Sequence, residues 1–390
     1  MAVNTMGIEQ AYTLIAALHK EATGRQAIQP NDLTSFISVA QATLQAGYEP
    51  VLNAISQVIE RTMVAVRPYE RKFPGLEYTA DKWGAITRKI SFADRDPVAD
   101  PSWALTDGLS EDQYVVRKPD VLETRYVGSL VYEGQYTIFK TQLDVAFSSP
   151  EEFASFMSGL MTHFSNEREQ WLEELARASI ANFIGTKNLL GTGHVVHLLT
   201  EYNAETGLSL TGTTVRQPAN FAAFCKWAYA RIEMISKMMT ERSQLFQQVI
   251  TGKNIFRHTP VRDQKVYLDA DLMAHMTSEV LTDAYHDNYL RLADTEAVNY
   301  WQNIQSPDEV QVKPVYIDNT GAVVTNAANQ TVDDIVGIIF DRDAIGYNIY
   351  QDNLETSPYN AKGQYYNLFS HVRVRYQNDF TEKGVLLLLD

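Results

Sequence analysis

Cysteine is nearly absent from this 390-residue chain. Cys225 stands alone, so no intramolecular disulfide can form and a reducing compartment is the default. Within a helical pattern it reads as a small buried hydrophobe rather than a reactive thiol. The N-terminus lacks the basic-then-apolar layout of a secretory leader. No run approaches the ~18 apolar residues that a bilayer-spanning helix requires. A soluble intracellular protein with no membrane partner is the expectation. Basic charge is also in deficit: 33 Lys and Arg against 48 Asp and Glu leave a net charge of −15. A chain built to grip nucleic acid would show the opposite balance. Internal repeats and low-complexity tracts are missing too.

Catalytic templates fail one after another. Gly252-Lys253-Asn254 has neither the hydroxyl residue nor the preceding glycine of a phosphate-binding loop. The stretch from Gly207 to Gly212 misses the nucleophile-elbow spacing by one residue. No G-x-G-x-x-G follows a strand. His194 and His197 have a metal-like interval, but no Cys or carboxylate completes a ligand set, and their Gly-rich setting reads as a solvated loop. His19, His163, His258, His275, His286 and His371 are scattered. Asp333-Asp334 precede an apolar strand and solvate its entry. Asp341 and Asp343 alternate onto one face with Arg342 between them, which reads as a charge network rather than a cation site. Asn329-Gln330-Thr331 fits a glycosylation sequon but has no secretion signal to support it. No catalytic residue, metal ligand or cofactor site is expected.

What is present is apolar and aromatic: 45% hydrophobic residues and 21 tyrosines. That is ample for two or three packed lobes. Tyr also suits surfaces buried against a partner while the hydroxyl keeps a hydrogen bond.

Gly7 to Val66 is helical, with stripes at Ala11, Leu14, Ile15 and Leu18, at Leu33, Phe36, Ile37, Ala40 and Leu44, and at Val51, Ile55, Val58 and Ile59. Asn31 is the expected cap of the second helix. Unless these helices share a core with later segments of the chain, they form an arm that lies on something else. Arg67 to Val116 breaks the helical period with prolines and glycines. Its first leg is basic (Arg67, Arg71, Lys72, Lys82, Arg88, Lys89, Arg95) and its second acidic (Asp100, Asp107, Glu111, Asp112, Asp120). This is too long for an ordinary connection: it is either a disordered lid or an extended hairpin ordered by a neighbour, and its residual alternation favours the hairpin.

Val121–Phe147 reads as strands facing inward through Tyr126, Leu130, Tyr132, Tyr136, Ile138 and Phe139. Ser149-Pro150-Glu151-Glu152 then opens a long helix with a cap, a first-turn proline and a carboxylate three residues on. Thirty-odd residues at 1.5 Å rise give a rod of roughly 45 to 50 Å, stopped at Gly185. Thr186–Gln217 suggests an exposed loop or short ribbon. A second long helix covers Pro218–Gln248. Val266–Leu268 and Val310–Ile317 are expected strands, and Leu272–Met276 and Val280–Tyr285 short helices. Ile335–Phe340 returns to the sheet.

The last fifty residues are the most specific. Val372, Val374 and Tyr376 alternate with Arg373, Arg375 and Gln377, the period of a strand with one buried face. After a turn at Thr381–Gly384, Val385–Leu389 is apolar throughout, as in a strand covered on both sides and locked into a central sheet. The order Asp341-Arg342-Asp343, Gly346, Tyr350, Lys362-Gly363-Gln364-Tyr365-Tyr366-Asn367 and a closing apolar strand resembles the carboxyl end of tailed-bacteriophage major capsid proteins, most like the short-tailed branch.

The resemblance implies an α+β Hong Kong 97-type major capsid fold. Its parts are an N-terminal helical arm (1–66), an extended loop (67–120), a peripheral domain with a long spine helix (121–187), an axial domain (188–330) and return strands (331–390). It also implies a non-enzymatic shell subunit of the virion, made in the host cytoplasm. Copies would associate as pentamers and hexamers around double-stranded DNA held by non-specific contact, with portal and scaffolding proteins as further partners. In that family the extended loop contacts the adjacent subunit's spine region. The expected interface residues are Arg71, Lys72, Lys82, Trp83, Arg88, Lys89, Arg95, Trp103, Asp107 and Glu111, with the two tryptophans as buried anchors and the charges setting register. An encapsulin-like compartment shell is the first rival, and a soluble hydrolase with an unrecognised site the second.

Overall fold

The computed structural model describes residues 8–25, 29–45, 47, 50–52, 54–55, 69–78, 86–95, 97, 107–108, 114, 116, 118–127, 130–283, 294–325 and 327–390. The chain forms two compact units. One comprises Met1–Trp83, Ser129–Leu175 and Tyr347–Arg375, the other Gly84–Gly128, Ala176–Gly346 and Tyr376–Asp390.

In the first unit, helices Ile8–Thr23 and Leu33–Gln45 bury Ala11, Ile15, Leu18, Phe36 and Ala40. The second helix is capped by Asp32 rather than Asn31: the Ser35 amide donates to Asp32 Oδ1 at 2.7 Å. Both helices share one core with Phe153, Met157, Leu160 and Phe164, and the Phe36 and Phe153 rings lie 5.9 Å apart. Apart from exposed Leu33, the described residues of the N-terminal stripes are therefore spent within their own unit, while Val58 and Ile59 lie outside the described residues.

A three-stranded sheet runs in the order Ile345–Thr356, Tyr365–Asn378, Leu130–Phe139. Val372 and Val374 are buried and Arg373 exposed, as the alternation requires; Arg375 breaks the pattern, buried with its guanidinium 5.7 Å from the Tyr350 ring. The strand expected to reach Phe147 ends at Phe139, because Leu143 and Ala146 enter the core at helical spacing in Lys140–Ala146. Tyr132 packs on Trp171 and Tyr136 on Phe164, while Leu130 and Phe139 face outward, contrary to expectation.

The spine helix, Pro150–Leu190, has 41 residues and hence a length of about 60 Å. Ser149 Oγ accepts the Glu152 amide at 3.2 Å, the cap its sequence announced. Gly185 does not stop it. A Cβ there would stand 2.2 Å from Val312 Cγ1, so the glycine serves close packing instead.

The second unit is built on a five-stranded sheet ordered Val195–His197, Gly384–Leu388, Ile335–Asp341, Gln264–Asp269, Asp294–Val298. Every residue of Gly384–Leu388 is buried. One face carries Val266, Leu268, Val336, Val385 and Leu387 into a core with Phe224, Ile232 and Met276. On the other, Phe183 of the spine helix lies 6.0 Å from Phe340 and stacks at 5.8 Å on Phe380. A Cβ at Gly384 would meet Phe183 Cζ at 2.5 Å, so this strand presses directly on the helix.

Several expected elements differ. Within Thr186–Gln217, Leu198–Thr206 is helical because Leu198, Leu199 and Tyr202 share a buried face. The second long helix ends at Thr240, where Glu241 turns extended. One helix, Ala270–Asp283, replaces the two short ones. The Val310–Ile317 strand breaks into Val310–Val312 and Tyr316–Ile317 around Pro314, which cannot donate to a ladder.

Gly185→Ala tests the packing account. Helix propensity alone favours alanine by ~1 kcal/mol. The Val312 clash should instead lower subunit stability in urea unfolding by about 1–3 kcal/mol.

Candidate subunit interface

Ile86–Phe92 and Val121–Val127 pair as a two-stranded ribbon, the second strand beginning just past the expected boundary at 120, and most of the residues between them lie outside those described. They run antiparallel from Ile86 opposite Val127 to Phe92 opposite Val121. Alternation divides the ribbon into two faces. Arg88, Ile90, Phe92, Val121, Glu123, Arg125 and Val127 are all exposed. Lys89, Ser91, Leu122, Thr124 and Tyr126 are buried or half-buried.

The usual polarity is reversed. The inner face is mainly polar and is held by charge. Lys89 Nζ donates to Asp379 Oδ2 at 2.6 Å and to Glu382 Oε1. Arg257 Nη2 donates to Ser91 Oγ at 2.6 Å, with its Nε 3.4 Å from Glu382 Oε1. Asp94 accepts from Arg242 and, at 3.2 Å, from the Phe256 amide. Burial works against the Lys89 charge, but Asp379 and Glu382 outweigh it and hold the ammonium above its ordinary value. Burial likewise opposes the Asp379 charge, and Lys89 with Thr381 keeps that carboxyl low. Glu382 is pushed up by burial, which Lys89 and Arg257 offset only in part.

The outer face leaves Ile90 55%, Phe92 64% and Val127 69% exposed. Between them Glu123 sits 2.8 Å from Arg125 and 3.6 Å from Arg88.

The ten expected interface residues thus separate. Arg88 faces outward, whereas its neighbour Lys89 is engaged inside its own chain. Arg71 lies in the other unit, bonded to Glu77 and, at 3.4 Å, to Glu169. The Lys72 amide donates to Glu173 at 3.1 Å. Arg95 donates to the Lys118 carbonyl at 2.9 Å, and Asp107 is exposed. Lys82, Trp83, Trp103 and Glu111 lie outside the described residues. Sequence reasoning missed Asp379 and Glu382, which sit in a turn whose polar composition reads as solvated but which is buried throughout. The signal available was the strict alternation of Arg88 and Lys89.

The other polar candidates also have structural partners. His194 Nδ1 stands 3.3 Å from Lys187 Nζ, while His197 Nδ1 lies 2.6 Å from Asp390 on the surface. Asp341 is buried and accepts Thr259 Oγ1 at 2.7 Å. The strand ends there, and the Asp343 amide folds back onto Asp341 Oδ1 at 2.8 Å, so the two carboxylates do not share a strand face. No group of three or more His, Cys, Asp or Glu able to hold a metal occurs among the described residues. No helix among them is long and apolar enough to cross a membrane.

Lys187 is fully buried, and its ammonium donates to the Phe246 carbonyl at 2.9 Å. Burial pushes it down from 10.5 to about 7, against the pull of Asp379. Between those values the unfolded chain binds the extra proton, so this residue makes stability rise with pH. Lys383, pushed down by burial to about 8, adds a second rise only above that pH. Lys187→Met should therefore remove a slope of up to ~1.4 kcal/mol per pH unit across pH 7–8 in urea titrations.

A model of the Phi29-like phage major capsid protein family matches residues 15–387. Comparison with curated proteins finds no match. Among solved structures, the chain is similar to one in the capsid structure of Staphylococcus phage Andhra. The TM-score is 0.57 and the identity 11%, over 84% of this chain and 86% of that one. A chain in the structure of head fiber and inner core protein gp22 of native bacteriophage P68 gives TM-score 0.56 and 11% identity over the same shares. At such identity the likeness establishes the fold, which is the Hong Kong 97-type capsid fold. The family match spans nearly the whole sequence and bears out the resemblance of its last fifty residues: the chain belongs to the Phi29-like phage major capsid protein family.

Proposed function

We propose that this phage capsid shell protein joins its copies by laying the outer face of the hairpin on the spine helix of a neighbour. The observation that carries this is the reversed polarity of the ribbon. A hairpin serving only its own chain would turn Ile90, Phe92, Val121 and Val127 inward. Here the inner face is satisfied by Lys89 and Arg257, and the apolar side chains are left for another surface.

The receiving stripe is small and acidic. Ser155, Gly159, Glu167, Gln170 and Glu174 are exposed along the spine helix at helical spacing. Gly159 costs a helix ~1 kcal/mol relative to alanine. Among the described residues nothing comes within 4 Å of a Cβ placed there, so no contact with them accounts for it. Close approach by a neighbour's ribbon supplies a reason. Glu167 and Glu174 complement Arg88 and Arg125, which favours one register over others.

Each contact is modest, and a closed shell sums many of them. Pentamers and hexamers of this chain, portal and scaffolding proteins, and loosely held double-stranded DNA follow as partners. So do synthesis in the host cytoplasm, the absence of catalysis and the division into arm, extended loop, peripheral and axial domains. The family match favours a genome-bearing phage shell over an encapsulin-like compartment or a hydrolase.

The I90D/F92D double variant tests the contact. Both side chains are exposed, so subunit melting should shift little. Shells should disappear from negative-stain images, and wild-type yields of closed particles would contradict the proposal.

A further inference from the structure

The second unit holds an apolar side chain in water on a stiff support. Ile304 occupies the tip of the turn from Asn303 to Ser306 and is 76% exposed. The Ser306 amide donates to the Asn303 carbonyl at 3.2 Å, and Asn303 Oδ1 accepts the Gln305 amide at 3.0 Å. Trp301 anchors the turn: it is 1% exposed, and its indole N–H donates to the Ile335 carbonyl at 3.3 Å. The turn therefore keeps its shape while its largest apolar group stands mostly in solvent.

Beside it lies a cavity of about 120 Å³ whose wall includes Pro307 and Asp308, the residues just after the turn. Its floor is mainly aliphatic, formed by the buried Leu272, Ile335, Val336 and Leu389, with half-buried Phe221 and Asp269 beside them. Its mouth carries Asp271 and Arg216, 3.9 Å apart, with Asp308 and Asp334. Ile304 is not among the lining residues, so it does not fill the cavity of its own chain.

We propose that Ile304 of one subunit inserts into this cavity on a second copy of the chain. Size fits: an apolar cavity of ~150 Å³ accepts a benzene ring, so a slightly smaller one suits a four-carbon side chain. Chemistry fits as well. An aliphatic floor receives the isoleucine, while the carboxylates at the mouth, which only accept hydrogen bonds, meet uncharged amide donors from Asn303 and Gln305. In a shell made of one chain, every copy brings both the projection and the cavity. One kind of contact then saturates both, whether the exchange is reciprocal or runs from subunit to subunit around a ring. The inference rests on self-association but not on where the hairpin goes.

The test is assembly of purified subunits followed by light scattering. The I304D variant changes only an exposed side chain, so its monomer should melt like wild type. It should assemble at least tenfold more slowly, because a carboxylate is brought to an acidic mouth. I304D/D271K should recover most of that loss. Assembly of I304D at the wild-type rate overturns the proposal, as does failure of the second substitution to rescue. Cysteines placed as I304C/D271C give an independent readout, since Cys225 is buried. Assembled shells of the double variant should yield reducible interchain dimers or longer ladders on oxidation, and neither single variant should. Only intrachain disulfides, or none, would overturn it even if I304D assembles poorly. If I90D/F92D abolishes shells while I304D does not, this contact falls and the hairpin reading stands. The converse result separates them the other way.

Discussion

The second unit depends on one buried polar turn, Asp379–Lys383. A turn placed inside a protein must find partners for every polar group it carries, and this one does so by gripping its surroundings. Asp379 takes the Thr381 hydroxyl at 2.6 Å and the Lys89 ammonium, while its amide reaches the Ala344 carbonyl at 2.7 Å. Lys383 reaches Ser243 Oγ at 2.8 Å and the Leu245 carbonyl at 3.2 Å. Phe380 stacks on the spine helix. Hairpin, helix and the loop after the second long helix are thereby tied to the same five residues, which then lead into the strand Gly384–Leu388.

This arrangement explains why the ribbon can leave Ile90, Phe92, Val121 and Val127 outside, among Arg88, Glu123 and Arg125. Ordinary surface hairpins are attached by their greasy side. Here the attachment is ionic and partly desolvated, a geometry in which removing one partner is far more damaging than the net worth of the pair suggests. The apolar groups are thus released from structural duty within their own ribbon.

Legibility followed locality. The closing region could be read because strand alternation and an unbroken apolar run are local signals, and Ser149-Pro150 announced a helix start for the same reason. Gly185 misled because its meaning lies in Val312, distant in sequence, and no local rule anticipates that approach. Leu198–Thr206 was hidden by the glycines and threonines around it, although Leu198, Leu199 and Tyr202 already had helical spacing. In the sequence Arg88 and Lys89 belong to one basic leg. The strand period would have parted them, but only the structure reveals which side has carboxylates waiting.

The order of strands in the five-stranded sheet has a kinetic corollary. Gly384–Leu388 is the latest of the five in the chain, yet it lies between Val195–His197 and Ile335–Asp341 rather than at an edge. Until it inserts, Val195–His197 has no sheet to join and Phe183 faces an unfinished wall. Pairings between segments so far apart close slowly, because the loop entropy must be met before any contact rewards it. Closure of the sheet therefore waits on the last of its strands in the chain, a long-range step of the kind that slows folding.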